Sequence, residues 1–317
     1  MKVVFLGTPE TAVPTLDALL GHGHDVPFVV TRPDRPVGRS AAPRPPAVKA
    51  RAAAAGVPVL QPASVKDPSF VATLEEAAPD ALVVVAFGRL LPPAVLDAAP
   101  HGAINVHFSL LPALRGAAPV AWALARGARE TGVTTFRLDR GLDTGDVLLQ
   151  RAVPILPREH APALLARLAI LGSELLLATL DALAAGAVTP RPQDARLATA
   201  APLLTREDGV WDPSWSAAEL EGRSRGFDPW PGVWARCRGR RLRLVDVAAL
   251  DGLRAEESPG TVVASKDEAL RLVCARGTVA ALEAVQVEGR RVVTAREAVA
   301  GRQLAPGDRL ERVEPAA

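Results

Sequence analysis

The stretch Ile104-Asn105-Val106-His107-Phe108-Ser109-Leu110-Leu111-Pro112 alternates apolar and polar residues through its first six positions and then stops. A period of two is the strand signature, and it sets Asn105, His107 and Ser109 on one face with Ile104, Val106 and Phe108 on the other. An amide, an imidazole and a hydroxyl then share a face. At the carboxyl end of a buried strand, where an open α/β sheet keeps its ligand crevice, they would form a polar site. Asp143, in Asp139-Arg140-Gly141-Leu142-Asp143-Thr144-Gly145-Asp146, is the expected third member of the catalytic set.

The strand does not stand alone. From Val3 to about Gln150, Val3–Leu6, Val26–Val30, Val57–Leu60, Ala81–Ala86, Ala103–Phe108, Gly132–Leu138 and Val147–Leu149 read as extended, with helix-like stretches such as Thr11–Leu20 and Pro46–Ala55 between several of them. That order implies an α/β domain with a mostly parallel sheet. The segment Thr189-Pro190-Arg191-Pro192-Gln193 has two prolines and no apolar periodicity, which marks a connection. Beyond it a helical stretch around Ser216–Ser224 gives way to Leu242–Val247, Thr261–Ala264, Leu270–Cys274 and Leu282–Val287, which suggests a small β-barrel. A chain of 317 residues fits two domains, read as 1–187 and 206–317 with a linker at 188–205.

Composition narrows the function classes. A net charge of +2 permits a nucleic-acid partner through local patches without arguing for one globally. Cys237 and Cys274 form no C-x-x-C or Cys/His cluster, so no disulfide framework or metal site is expected, and a reducing cytoplasm is the expected location. Met1–Gly7 is too short an apolar run for a signal peptide and is followed closely by Glu10 and Asp17, so it reads as a first strand. The leucine-rich region from Ala161 to Ala187 is interrupted by Arg167, Glu174 and Asp181, and it reads as a helix of a globular domain rather than a membrane span of about 20 nearly uncharged residues.

Familiar motifs are missing. There is no Walker loop, no G-x-G-x-x-G after the first strand, no H-E-x-x-H and no G-x-S-x-G elbow, which disfavours nucleotide hydrolysis, NAD chemistry and serine hydrolysis. Read as a calcium loop, the run from Asp139 puts Thr144 where the turn glycine belongs and Gln150 where the bidentate glutamate belongs. Alone, Asp143 reads as a turn residue and His107 as a structural strand histidine. Together with Asn105 they could move a proton and donate hydrogen bonds to a developing oxyanion, which suits acyl transfer to an amine without a covalent enzyme intermediate. His22 and His24 flank a turn, His101 precedes the strand and His160 starts a helix, none in comparable company. Arg32–Pro46 holds five prolines and four arginines, Arg32, Arg35, Arg39 and Arg44, and reads as a projecting basic loop.

Several runs carry a resemblance: Phe5-Leu6-Gly7-Thr8-Pro9-Glu10, Thr31-Arg32-Pro33-Asp34-Arg35-Pro36-Val37-Gly38-Arg39, Ala86-Phe87-Gly88-Arg89-Leu90-Leu91-Pro92, Asn105-Val106-His107, Ser109-Leu110-Leu111-Pro112, Arg115-Gly116-Ala117-Ala118-Pro119 and Gly141-Leu142-Asp143-Thr144-Gly145-Asp146. The Asn-x-His, Ser-Leu-Leu-Pro and Leu-Asp-x-Gly set resembles folate-dependent formyltransferases. The Gly-Thr-Pro, Pro-Asp-Arg-Pro and Arg-Gly-Ala-Ala-Pro runs narrow it to the methionyl-tRNA formyltransferase family, and Phe227-Asp228-Pro229-Trp230-Pro231 resembles the start of that family's carboxyl-terminal domain.

The resemblance implies a Rossmann-like formyltransferase domain followed by an OB-like β-barrel that helps hold tRNA. It implies 10-formyltetrahydrofolate as donor, initiator methionyl-tRNA as acceptor and no metal; a monomer is expected. Asn105, His107 and Asp143 match the catalytic set, with His107 expected to act protonated. Arg89, Leu91, Asp139 and the run Ser109, Leu110, Leu111 and Pro112 match folate-binding positions, and Arg35, Arg39 and Arg44 match a loop that meets tRNA. The chain departs from the pattern at Phe108, usually small, and at Ala113-Leu114, usually basic plus aromatic, so a different pocket wall is expected. Arg223, Arg225, Arg236, Arg238, Arg240, Arg241 and Arg243 surround a single acid, Asp228, and could bind phosphates or form an ordinary solvated surface. The rivals are formyl transfer to a small amine such as an amino-sugar nucleotide, 10-formyltetrahydrofolate hydrolysis, and non-catalytic RNA binding.

Overall fold

The computed structural model describes residues 1–36, 43–264 and 270–313. Contacts divide it into two compact units, one comprising Met1–Gly116, Glu130–Pro154 and Leu165–Ala200, the other Ala117–Arg129, Ile155–Leu164 and Ala201–Ala317. The units are not contiguous in sequence, because the segments after Gly116 and Pro154 group with the carboxyl-terminal residues.

In the first unit lie β1 (Val3–Gly7), α1 (Val13–Gly21), β2 (Val29–Val30), β3 (Arg35–Pro36), β4 (Pro43–Arg44), α2 (Ala47–Ala54), β5 (Val59–Leu60), α3 (Pro68–Ala77), β6 (Ala81–Val85), α4 (Pro93–Leu96), β7 (Ala103–His107), β8 (Glu130–Arg137) and β9 (Val147–Pro154). A seven-stranded sheet runs β5-β2-β1-β6-β7-β8-β9. Its strands are parallel from β5 through β7, and β8 and β9 add antiparallel. The expected α/β architecture is present. β2 and β5 are shorter than their apolar runs, and β9 is longer, because its exposed residues pair with β8 without being buried. The basic segment forms a two-residue ladder, β3 against β4, outside the main sheet.

The second unit contributes α5 (Pro119–Ala125), α7 (Ala217–Gly226), β10 (Val233–Cys237), β11 (Arg240–Arg254), β12 (Val262–Ala264), β13 (Leu270–Val273), β14 (Thr278–Val287), β15 (Val293–Thr294), α8 (Ala295–Ala300) and β16 (Leu310–Arg312), while α6 (Ala161–Ala184) begins in it and continues in the first unit. Its antiparallel sheet runs β12-β13-β14-β11-β10-β16. A bridge between Thr261 and Arg309, with hydrogen bonds from Val262 N to Asp308 O and from Leu310 N to Gly260 O, joins the two ends into a barrel. The reading of the sequence missed β10 and β16, where arginines interrupt the apolar pattern, although every second residue of β10 points inward. α7 packs closely on α5: a side chain at Gly222 would lie 2.6 Å from the Leu124 carbonyl oxygen.

α6 is long and apolar enough to cross a membrane, with half of its most apolar window buried inside the protein. Its buried face lies on the sheet. A β-carbon at Gly172 would sit 2.7 Å from Val106 Cγ1 and 3.4 Å from both Phe108 Cε1 and Val133 Cγ1. Phe108 therefore packs under α6 beside Val106, on the face away from His107; Val106 Cγ1 stands where a side chain at 172 would go, and Phe108 bounds that space. The expectation that Phe108 alters the pocket wall is corrected by this placement.

Gly172→Val should overpack this contact and cost about 1–3 kcal/mol, and Phe108→Ala should leave a cavity costing about 3–5 kcal/mol. In urea unfolding, the double variant is expected to lose less than the sum of the two, since valine fills part of the void. Strict additivity would show that the two residues do not share this space.

Candidate active site

β7 ends at His107, whose register partner on β8 is Thr134; Asn105 pairs with Phe136. Parallel neighbours end on the same edge, so the loop after β6 follows beside the end of β7, and Thr8, just past β1, donates to the Phe87 carbonyl at 3.2 Å. The chain then turns sharply after the strand. Thr134 Oγ1 donates to the Ser109 carbonyl at 2.7 Å and accepts from Leu111 N at 3.1 Å, while Gln150 Nε2 donates to the Leu111 carbonyl at 2.7 Å. Ser109 is buried, and its hydroxyl donates to the Ala113 carbonyl at 2.7 Å. It builds the turn and has no free oxygen–hydrogen bond to offer a ligand.

His107 is 6% exposed. Its Nε2 lies 2.9 Å from the Leu114 carbonyl, which can only accept, so Nε2 carries a proton. In the neutral ring Nδ1 is then bare, and it faces Asp143 Oδ2 at 3.8 Å. That same Oδ2 accepts from Gly116 N at 2.7 Å. Burial pushes the His107 pKa below its ordinary value, against the opposing influences of the Asp143 charge and the Leu114 carbonyl. The resting ring is neutral, so the expected imidazolium is a form acquired in use rather than the ground state. Leu114 contributes its carbonyl and not its side chain, which is why the departure at Ala113-Leu114 leaves this contact in place. Asn105, on the His107 face and half-buried, makes no side-chain hydrogen bond among the described residues.

Backbone conformation is specialised where these groups meet. Leu114, Asp143 and Gly116 have φ values of 62°, 54° and 123°. Left-handed conformations at the two non-glycine residues are held by surrounding hydrogen bonds, a pattern associated with functional sites. Asp139 Oδ1 accepts from Gly141 N at 2.9 Å and from Thr144 Oγ1 at 2.7 Å, which shapes the loop; Asp139 itself is exposed. Gln193 then anchors it. Its Nε2 donates to the carbonyls of Asp143 at 3.0 Å and Gly145 at 2.7 Å, and its Oε1 accepts from Arg115 Nε at 3.1 Å and Nη2 at 2.8 Å. Gln193 stands in the proline-containing connection, where nothing in the sequence marks it as more than a linker residue.

The other expected positions divide. Arg89 donates to the Pro62 carbonyl at 3.0 Å, and Leu91 packs on the core, while Leu90 between them is 79% exposed. Leu142, beside Asp143, is 60% exposed. Leu110 is half-buried, Leu111 packs with Phe136 and Val147, and Pro112 follows in the same turn. Arg35 and Arg44 are exposed register partners in the β3–β4 ladder. Arg39 lies outside the described residues.

The barrel arginines are largely paired with acids within the fold. Arg238 meets Asp308 at 2.6 Å, Arg241 meets Glu288 at 2.9 Å, Arg243 meets Asp228 at 2.7 Å and Arg225 meets Glu221 at 3.5 Å. Arg223 stacks over Trp215 at 4.3 Å. Asp228, the single acid within the stretch, is therefore joined by Glu221, Asp308 and Glu288 from outside it. Arg236 and Arg240 remain exposed without a partner among the described residues.

The formyl transferase family matches residues 1–180, and the formyl transferase C-terminal domain matches 203–303. The methionyl-tRNA formyltransferase of Geotalea uraniireducens is 44% identical over 310 residues, 98% of each chain. That of Acidobacterium capsulatum is 47% identical over 311 residues, 98% of this chain and 99% of that one. An N-formyltransferase from Helicobacter canadensis, solved with folinic acid and dTDP-3-aminofucose, shares the fold with a TM-score of 0.67 at 15% identity, covering 89% of this chain and 98% of that one.

Gln193→Ala should free the loop that presents Asp143. Turnover is expected to fall by about ten- to a hundredfold while KM changes little, since the lost quantity is orientation. Gln193→Glu, unable to donate to the two carbonyls, should behave alike. A rise in KM with unchanged kcat would assign Gln193 to binding instead.

Proposed function

This chain belongs to the methionyl-tRNA formyltransferase family, and from that premise we propose that it transfers the formyl group of 10-formyltetrahydrofolate to the α-amine of methionine on initiator tRNA. The observation that carries the reading is the buried, neutral His107 with Nδ1 bare toward Asp143, beside an Asn105 amide that bonds to no other group among the described residues. A site of that kind accepts a proton and offers a hydrogen bond to a new oxyanion, and formyl transfer to an amine requires both.

The chemistry follows from those groups. The neutral methionyl amine attacks the formyl carbon, forming the new C–N bond as charge moves to the formyl oxygen. Asn105 donates to that oxygen, a contact of the type worth about 3–4 kcal/mol. His107 Nδ1 takes the proton released by the amine, and Asp143 stabilises the imidazolium. The proton then passes to the departing folate nitrogen as its bond to the formyl carbon breaks. No covalent bond to the protein is needed. Exposed Leu90 and Leu142, with the backbone around Arg89, Leu91 and the Ser109–Pro112 turn, supply apolar and hydrogen-bonding surface that suits a pterin ring.

Arg35 and Arg44 sit opposite one another across the β3–β4 ladder, an arrangement that costs energy until an anion lies between them. A tRNA phosphate would relieve the repulsion, and Arg39, between them in sequence, adds to the same basic loop. A small acceptor has no need of it. Asn105, His107 and Asp143 all belong to the first unit, which supports a monomer as the working form. The charged initiator tRNA supports a cytoplasmic location.

His107→Ala and Asp143→Asn should each reduce formyl transfer by about a hundredfold or more. In the wild-type protein the acceptor must be neutral, and its pKa is lowered by burial. Once the separately titrated protonation of the methionyl amine is allowed for, the acid limb that belongs to His107 should therefore lie below the ordinary imidazole range near 6.5. Near-normal rates in either variant would remove that residue from the mechanism, and formate released equally without tRNA would identify a hydrolase.

Arg35→Ser combined with Arg44→Ser should raise KM for the charged tRNA at unchanged kcat. The double variant should also flatten the dependence of log affinity on log salt by about two. An unchanged salt slope would place the tRNA contacts elsewhere.

A further inference from the structure

The turn after α1 and the later part of α6, both in the first unit, bring together His22, His24 and Asp181, three residues with no part in the proposed reaction. One candidate ligand atom from each lies within 4.8 Å of the others. His22 Nε2 is 3.6 Å from Asp181 Oδ2. Two ligands of a tetrahedral ion with bonds of about 2.0–2.1 Å stand about 3.3 Å apart, so the pair needs little adjustment.

One donor of the set is also unpartnered among the described residues. The 3.6 Å separation is too long for a hydrogen bond, and the Asp181 carboxylate accepts none among the described residues. His24 Nε2 is buried without a hydrogen-bond partner, and its Nδ1 is 3.5 Å from the Met1 amino group. The two imidazoles stack with centroids 5.5 Å apart and planes inclined by 29°, an arrangement that two imidazolium ions would resist.

We propose that His22, His24 and Asp181 bind a divalent transition-metal ion of the Zn²⁺ class, with the fourth position open to water, clasping the turn after α1 to α6. Two imidazoles and one carboxylate are a donor set suited to Zn²⁺ or Co²⁺, whereas Mg²⁺ and Ca²⁺ prefer oxygen ligands. The ion would serve the fold, since its position owes nothing to His107 or Asp143.

The untagged full-length protein, stripped with a chelator, is titrated with ZnCl₂ in a calorimeter and with CoCl₂ in a spectrophotometer. One ion per chain is expected, with the visible absorption of tetrahedral Co²⁺ and a melting temperature raised by Zn²⁺. His22→Ala and Asp181→Asn alter exposed side chains and should leave the fold intact. Each should weaken Zn²⁺ binding by about tenfold or more, the least expected where even an outer contact costs that much. His24→Gln should abolish the Co²⁺ bands. Binding of Zn²⁺ as tight in His22→Ala or Asp181→Asn as in the wild type, or no stoichiometric binding by the wild type, would overturn the proposal.

Discussion

The site depends on a buried imidazole held between a carbonyl on one side and a carboxylate on the other. Because Leu114 fixes the proton on Nε2, the bare Nδ1 of His107 faces a carboxylate that also cannot donate. Two buried acceptors 3.8 Å apart are poised to share one proton. Removing an ionised pair from water is expensive, and the attraction between partners recovers that cost only with good geometry and further hydrogen bonds. Here the extra bond is Gly116 N to Asp143 Oδ2, and the cost of charging the ring wins at rest. The attraction becomes useful only when the reaction delivers the proton.

Everything around the pair limits its movement. The β7–β8 register sets Thr134 beside His107, and Thr134 with Gln150 ties down the turn that carries the Leu114 carbonyl. Gln193 performs the same service for the opposite partner by bridging the Asp143 loop to Arg115. Both partners thus rest on side-chain amides that reach backbone carbonyls. Such bonds involve no ionisable group, so the support they give both partners does not change with pH.

The sequence made the central strand legible because its alternation survives in the fold, with Val106 and Phe108 under α6 and His107 on the other face. The parallel sheet was legible for the same reason, since its strands are short apolar runs punctuated by turns. What escaped were relations between distant residues. Gln193 has no pattern around it, and its importance arises only when Asp143 folds back to meet it. Asp181 reads as an interruption of a leucine-rich helix until α6 brings it to His22. β10 escaped because arginine at 236 breaks an apolar run, although the strand buries Val233, Ala235 and Cys237 in proper alternation.

Charge shows the same limit most clearly. A local count finds seven arginines around one acid in the barrel, yet the fold supplies Glu221, Asp308 and Glu288 as well, and Trp215 takes the face of Arg223. An arginine already paired offers less to a phosphate, because the new contact must first break the old one. Arg35 and Arg44 are in the opposite condition: they are register partners with no carboxylate paired to either among the described residues, a repulsion that an anion would relieve. Within the described surface, the proposal for a phosphate contact therefore rests on the hairpin more than on the larger arginine cluster. In the barrel, the exposed Arg236 and Arg240 are the cations of that cluster still available for such a contact.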